Sequence, residues 1–128
     1  MRFCVLLIVA ALAFAAGAVN TRPIIGILDQ NLHGDESHTY IAASYVKWVE
    51  SAGARVVPLL YRKWSVEKME KVLKSINGVL LPGGSIKFEG KYLAQLVTIY
   101  NYVKKANDNG IHYPIWGTCL GVCAFVWS

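Results

Sequence analysis

The chain has 128 residues, 55% of them hydrophobic and 16% charged, with a formal net charge of +5. That length holds one domain at most. The charges are interspersed, with no basic run longer than Lys104-Lys105, which argues against nucleic-acid binding as the main task and leaves a mild positive field suited to an anionic small molecule.

Residues 1–18 carry the marks of a secretory signal peptide. Met1-Arg2 is a short basic start, an apolar run follows from Phe3 to Phe14, and Ala16-Gly17-Ala18 supplies the small residues of a cleavage site. The run is short for a membrane span, which takes roughly 20 residues. Cleavage after Ala18 is therefore expected, leaving a domain over 19–128, no membrane attachment and an address in the secretory pathway. Cleavage also removes Cys4, so Cys119 and Cys123 are the cysteines that remain. Four residues apart, they share one helix face, where a disulfide between them is strained. Two thiols alone make a poor zinc site, and no metal is expected. Without a disulfide framework the domain must rely on its hydrophobic core.

In chain order, residues 22–28 form a continuous apolar run, the mark of a strand buried on both faces. Residues 29–37 are polar and turn-rich and read as a loop, with His33 and His38 solvated in or beside it. Residues 37–52 follow a helical period that puts Ile41, Tyr45, Trp48, Val49 and Ala52 inward, and Gly53 ends it. A second strand covers 55–60. Ser65 caps a second helix with Glu67 in its first turn and Val66, Met69, Leu73 and Ile76 as its stripe. Asn77-Gly78 stops it, and residues 79–81 are a third strand. Pro82-Gly83-Gly84-Ser85 turns sharply. A third helix spans 92–105 with Leu93, Leu96, Val97, Tyr100 and Val103 inward. A turn at 107–110 leads to a buried fourth strand at 113–116. Strands alternating with helices predict an α/β fold with a parallel sheet and right-handed crossovers. Ligands in such sheets sit at the carboxyl ends of the strands. Asp29, the Gly83-Gly84 loop and Cys119 all follow strand ends and so share that edge.

After the fourth strand the chain reads Gly117-Thr118-Cys119-Leu120-Gly121. Gly-x-Cys-x-Gly between a strand and helix-type residues is the pattern of a nucleophile elbow, a tight turn whose central residue would clash with any bulky flank. Glycines at 117 and 121 remove the clash. Cys119 is then held at a helix N-terminus, where free N–H groups and the helix dipole favour a thiolate and can bind an oxyanion. That is a nucleophile for acyl transfer. The alternative is a buried structural thiol; the apolar strand before the motif and the glycine-rich loop favour the nucleophile.

On these residues the chain resembles γ-glutamyl hydrolase (folate γ-glutamyl hydrolase), of the class I glutamine amidotransferase-like superfamily. The matching segments are residues 23–28 (PIIGIL), 40–58 (YIAASYVKWVESAGARVVP), 75–85 (SINGVLLPGGS) and 114–121 (PIWGTCLG). The resemblance implies a flavodoxin-like parallel sheet with helices on both faces, and a cysteine peptidase acting on folate poly-γ-glutamates. It implies Cys119 as nucleophile, an oxyanion hole from Leu120 with Gly83 or Gly84, and Tyr45 near the substrate. It implies no cofactor or metal, an extracellular, lysosomal or vacuolar location, and admits a homodimer for the full-length family. Two departures stand out. Cys123 occupies the place of a family glutamate, and the family's catalytic His and its Glu partner fall downstream of Ser128, so hydrolysis by these 128 residues alone is not expected. His112, at the start of the fourth strand, is no substitute. A glutaminase-type amidotransferase subunit shares the elbow, although the leader argues against it. A non-catalytic secreted fragment is the alternative from another class.

Overall fold

The structure, a computed structural model, describes residues 21–32 and 35–127. The leader over 1–18, its cleavage site and His33 lie outside the described residues. Four parallel strands build the main sheet: β1 (Ile24–Leu28), β4 (Arg55–Leu59), β5 (Gly78–Leu81) and β6 (Ile115–Gly117). Their order is β4-β1-β5-β6, the two-one-three-four sequence of a flavodoxin-like sheet. Register is fixed by pairs such as Ile25 with Val56, Ile25 with Gly78, and Leu80 with Trp116. Pro58, which cannot donate to a ladder, stands in β4 at the sheet edge, where that costs nothing.

Alternation along the strands sends side chains to two cores. On one face Leu28, Leu59, Val79 and Leu81 pack with Met69 and Leu73 of α2 (Val66–Leu73) and with Leu96, Ile99 and Val103 of α3 (Gly90–Asp108). On the other, Ile27 and Leu80 pack with Val49 of α1 (Ala43–Ser51). Ile27, Leu28, Leu59, Met69, Leu73 and Ile99 are wholly buried, and each such side chain contributes about 1.5–3 kcal/mol of transfer free energy. Ser65 caps α2 as the sequence indicates, its hydroxyl accepting the Lys68 N–H at 3.3 Å, with Glu67 in the first turn. Gly53, at φ +85°, follows α1.

Several expectations are corrected. The segment after β1 is not a loop leading into a helix at residue 37. It is a hairpin of β2 (Gln30–Leu32) and β3 (Asp35–Tyr40), and α1 begins only at Ala43. The cause is local and polar. The Asp35 carboxylate accepts from the Ser37 N–H and bonds Ser37 Oγ and His38 Nδ1. Such side-chain bonds compete with helix formation, and Ala42 offers no side chain to cap the helix start. Trp48, expected inward, is 52% exposed and packs against Trp116 in a tilted ring pair with centroids 5.8 Å apart. Trp116 is 58% exposed as well, because β6 is an edge strand rather than a buried one. Val66 and Ala52 are also exposed.

The third helix is longer than expected and rotated. It buries Tyr92, Gln95, Leu96, Ile99, Val103 and Ala106, while Leu93, Val97 and Tyr100 are half-buried. A polar residue sets this phase: Gln95 turns inward and donates Nε2 to the Trp64 carbonyl at 3.0 Å. The last strand starts at Ile115 rather than Tyr113. Tyr113 is instead a buried strut whose hydroxyl donates to the Leu73 carbonyl at 2.9 Å. Among the described residues no helix is long and apolar enough to cross a membrane.

Candidate active site

The turn between β6 and α4 (Leu120–Trp127) holds Cys119 at φ +51°, the one non-glycine residue with positive φ among those described. The left-handed region costs an L-residue about 1–2 kcal/mol, so the surroundings must impose it. They do so through close backbone packing. The Thr118 N–H donates to the Leu81 carbonyl at 3.1 Å, and the Gly121 N–H returns to the Thr118 carbonyl at 2.8 Å. A Cβ on Gly121 would stand 2.1 Å from the Leu81 oxygen, and one on Gly117 would stand 2.5 Å from the Gly121 oxygen. The glycine spacing is thus a requirement of two backbone contacts. Cys119 emerges exposed, which sets aside the buried structural thiol. Leu120 opens α4, where helical N–H groups lack intrahelical acceptors.

The glycine loop after β5 comes to the same place. A Cβ on Gly83 would lie 3.1 Å from Cys119 Cβ, 3.3 Å from the Thr118 carbonyl oxygen and 3.0 Å from the Tyr45 hydroxyl. The Gly83 N–H donates to that hydroxyl at 2.9 Å. Tyr45 packs its half-buried ring into the second core and holds the loop with its polar end. Gly84 faces elsewhere: the space for its Cβ is filled by Gln30 Oε1 at 1.8 Å. Gln30, 3% exposed, donates Nε2 to the Pro82 carbonyl at 3.1 Å and to the Tyr92 hydroxyl at 3.5 Å. The structure therefore gathers Cys119, Leu120, Gly83 and Tyr45, and turns Gly84 onto Gln30.

Asp29 also sits at this edge, 2% exposed, its carboxylate accepting the Tyr61 N–H at 2.8 Å. Burial raises its pKa above the ordinary carboxylate value. Its backbone N–H donates to the Leu59 carbonyl, so Asp29 ties the ends of β1 and β4 together. The histidines fall elsewhere. His38 is exposed on β3 and bonded to Asp35, and His112 is exposed ahead of β6, at the opposite end of that strand from the elbow. Among the described residues no cluster of His, Cys, Asp or Glu could hold a metal. Sequence reasoning missed Gln30 and Tyr92. The signal that points to Gln30 is its position, directly after Asp29 at the carboxyl end of β1.

The peptidase C26 family matches residues 23–126, nearly the whole described chain and the elbow with it. The chain belongs to this family. It is 49% identical over 105 residues to a γ-glutamyl hydrolase of Bos taurus, covering 78% of this chain and 33% of the relative. It is 47% identical over 111 residues to the γ-glutamyl hydrolase of Homo sapiens, covering 82% and 34%. It is 46% identical over 110 residues to γ-glutamyl hydrolase B of Dictyostelium discoideum, covering 81% and 31%. The chain thus spans about a third of the length of these relatives. Its fold is the flavodoxin-like arrangement described above.

Proposed function

We propose that this chain carries the nucleophile-bearing part of a γ-glutamyl hydrolase acting on folate poly-γ-glutamates. The observation that supports this reading is the strained, exposed Cys119 beside Gly83, in a family whose similar members are γ-glutamyl hydrolases. Cys119 Sγ attacks the carbonyl carbon of the γ-amide and forms a tetrahedral intermediate. The oxyanion is received by the Leu120 N–H at the start of α4, with the glycine loop standing beside it. Tyr45 accepts the Gly83 N–H through its oxygen, which leaves its own proton free to donate toward the acyl group. Collapse of the intermediate breaks the C–N bond, the amine leaving with the proton that the Cys119 thiol gave up, relayed through water, and a γ-glutamyl thioester remains on Cys119. Water then hydrolyses the thioester. The leader over 1–18 sends the chain into the secretory pathway, and residues 19–128 are the mature part.

The test uses a γ-glutamyl thioester in place of the amide. Its thiolate leaving group departs without a general acid, so the reaction reports the nucleophile and the oxyanion donors alone. Incubation followed by peptide mass spectrometry should place a γ-glutamyl adduct on Cys119, absent in Cys119→Ala. An adduct on Cys123, or equal reaction with an α-glutamyl thioester, overturns the reading.

A further inference from the structure

The helix α4 turns one side to the core and the other outward. Gly121 and Ala124 are buried, and Phe125 is half-buried against the larger core. Cys119, Val122 and Cys123 are exposed. Positions three and four apart lie on one face of a helix, so this phase of burial puts both thiols on the same open side of the turn. The backbone ties them as well. The Val122 N–H donates to the Cys119 carbonyl at 2.9 Å, which fixes Cys119 against the first turn of α4. The Cβ of Cys123 tilts toward the helix N-terminus, as every helical Cβ does, and so toward Cys119. Among the described residues, Cys119 and Cys123 are the free cysteines.

Two cysteines inside a regular helix at this spacing keep their Cβ atoms about 5–6 Å apart, beyond the roughly 3.5–4.5 Å that a disulfide takes. Cys119, however, is not inside the helix. Its φ of +51° belongs to the elbow, one residue ahead of Leu120, so helical geometry binds Cys123 alone. Closing a bond between the two still costs strain. Strained and exposed disulfides are the readily reduced ones, suited to reversible rather than structural use.

We propose that Cys123 is the resolving thiol of a reversible oxidative switch on Cys119, the oxidant being a hydroperoxide. The Cys119 sulfur attacks the O–O bond. An S–O bond forms, the O–O bond breaks, and the leaving oxygen takes the thiol proton and departs as an alcohol, or as water from hydrogen peroxide. The sulfur is oxidised by two electrons to a sulfenic acid, and the peroxide is reduced by two. The Cys123 sulfur then attacks the Cys119 sulfur. An S–S bond forms, the S–O bond breaks, and hydroxide leaves as water with the Cys123 proton. A dithiol reductant returns both thiols. In the disulfide Cys119 is no longer a nucleophile, and it is shielded from oxidation to the sulfinic acid, which such a reductant cannot reverse. This chemistry needs no γ-glutamyl substrate and stands or falls apart from the hydrolase reading.

The experiment exposes the full chain and its Cys123→Ser variant to hydrogen peroxide under native conditions, blocks the remaining thiols with iodoacetamide and digests with trypsin. Residues 106–128 contain no Lys or Arg, so both cysteines fall in one peptide, separate from Cys4. In the wild type that peptide should lose two hydrogens and take up no iodoacetamide, and dithiothreitol should restore labelling at both thiols. Cys123 is exposed, so serine there disturbs no core packing. In Cys123→Ser, dimedone should trap a sulfenic acid on Cys119. Prolonged peroxide should then carry Cys119 to the sulfinic acid, with a loss of labelling that dithiothreitol does not reverse. Equal amounts of sulfinic acid on Cys119 in the two proteins overturn the proposal. So does a wild-type disulfide that links two chains or reaches Cys4, and so does a wild-type peptide that keeps both thiols free. The wild-type peptide carries the test by itself should the variant fail to fold.

Discussion

The hydroxyl of Tyr45 accepts the N–H of Gly83 at 2.9 Å, and this one bond links the face of α1 to the loop that stands against Cys119. Tyr45 therefore belongs to the core by its ring and to the site by its oxygen. The two contributions separate under mutation. Tyr45→Phe keeps the ring and loses the bond, at a cost of about 0.5–1.5 kcal/mol in stability. If the freed proton of Tyr45 donates to developing negative charge, acylation of Cys119 by a γ-glutamyl thioester slows about 10²-fold. Tyr45→Ala should lower both the rate and the Tm. A Tyr45→Phe protein acylated at the normal rate would reduce Tyr45 to a packing residue.

Gly121 allows no substitution. A methyl group there would stand 2.1 Å from the Leu81 oxygen, a backbone atom fixed in β5. The sheet and the elbow must separate for it to fit. Gly121→Ala should destabilise by about 3 kcal/mol or more, read as a lower urea midpoint. The neighbouring Val122, 50% exposed, tolerates Val122→Ala within about 0.5 kcal/mol. Equal midpoints for the two variants would mean that the elbow is not closed by that contact.

The parts of this architecture that were legible in the sequence are those set by backbone requirements. Apolar runs mark β1, β4 and β5 because both faces of the sheet are covered. Gly117 and Gly121 mark the elbow because the backbone leaves no room for a Cβ. The hairpin was not legible, because residues 29–40 lack an apolar alternation and are organised by Asp35 bonding to Ser37 and His38. The phase of α3 was lost for a related reason: a glutamine, Gln95, faces inward on the strength of one bond to Trp64. Trp48 and Trp116 satisfy each other at the surface, and a pattern that treats every tryptophan as core cannot show it. Gln30 was hidden among polar neighbours, and only the folded loop reveals it as the support of the glycine turn.

Asp29 governs a pH dependence of stability. Burial raises its folded-state pKa above the ordinary 3.8. The folded state then holds its proton more tightly than the unfolded state does. The contribution to stability is fully present below pH 3.8 and is lost as pH rises through the folded pKa. Asp29→Asn removes the titration and keeps an oxygen to accept the Tyr61 N–H. The variant should match the wild type near pH 3 and become progressively more stable than it as pH rises above 4. Urea unfolding across pH 3–7 checks this. A constant difference over that range would show that Asp29 does not titrate with folding.

Gln30 and Gly84 should behave as one unit. Gln30 Oε1 occupies the volume where a Gly84 side chain would begin, 1.8 Å from the Cβ position. Nε2 of the same amide supports the Pro82 carbonyl at 3.1 Å. Gly84 is not in the left-handed region, so alanine there meets no backbone strain, only the glutamine. Gly84→Ala must therefore expel the Gln30 amide from a site where it is 3% exposed. The buried Pro82 carbonyl then loses its donor, a loss of about 1–3 kcal/mol. Gln30→Ala forfeits the same bond directly and leaves a space beside Gly84. The double variant places the new methyl group in that space and pays no second time. The cycle should return a coupling of about 1–3 kcal/mol, far from the near-zero value of independent sites. The rate of Cys119 acylation should follow the same pattern, falling in each single variant and no further in the double, since all three loosen one loop. Strict additivity in both stability and rate would show that Gln30 neither fills the space at Gly84 nor holds the loop beside the cysteine.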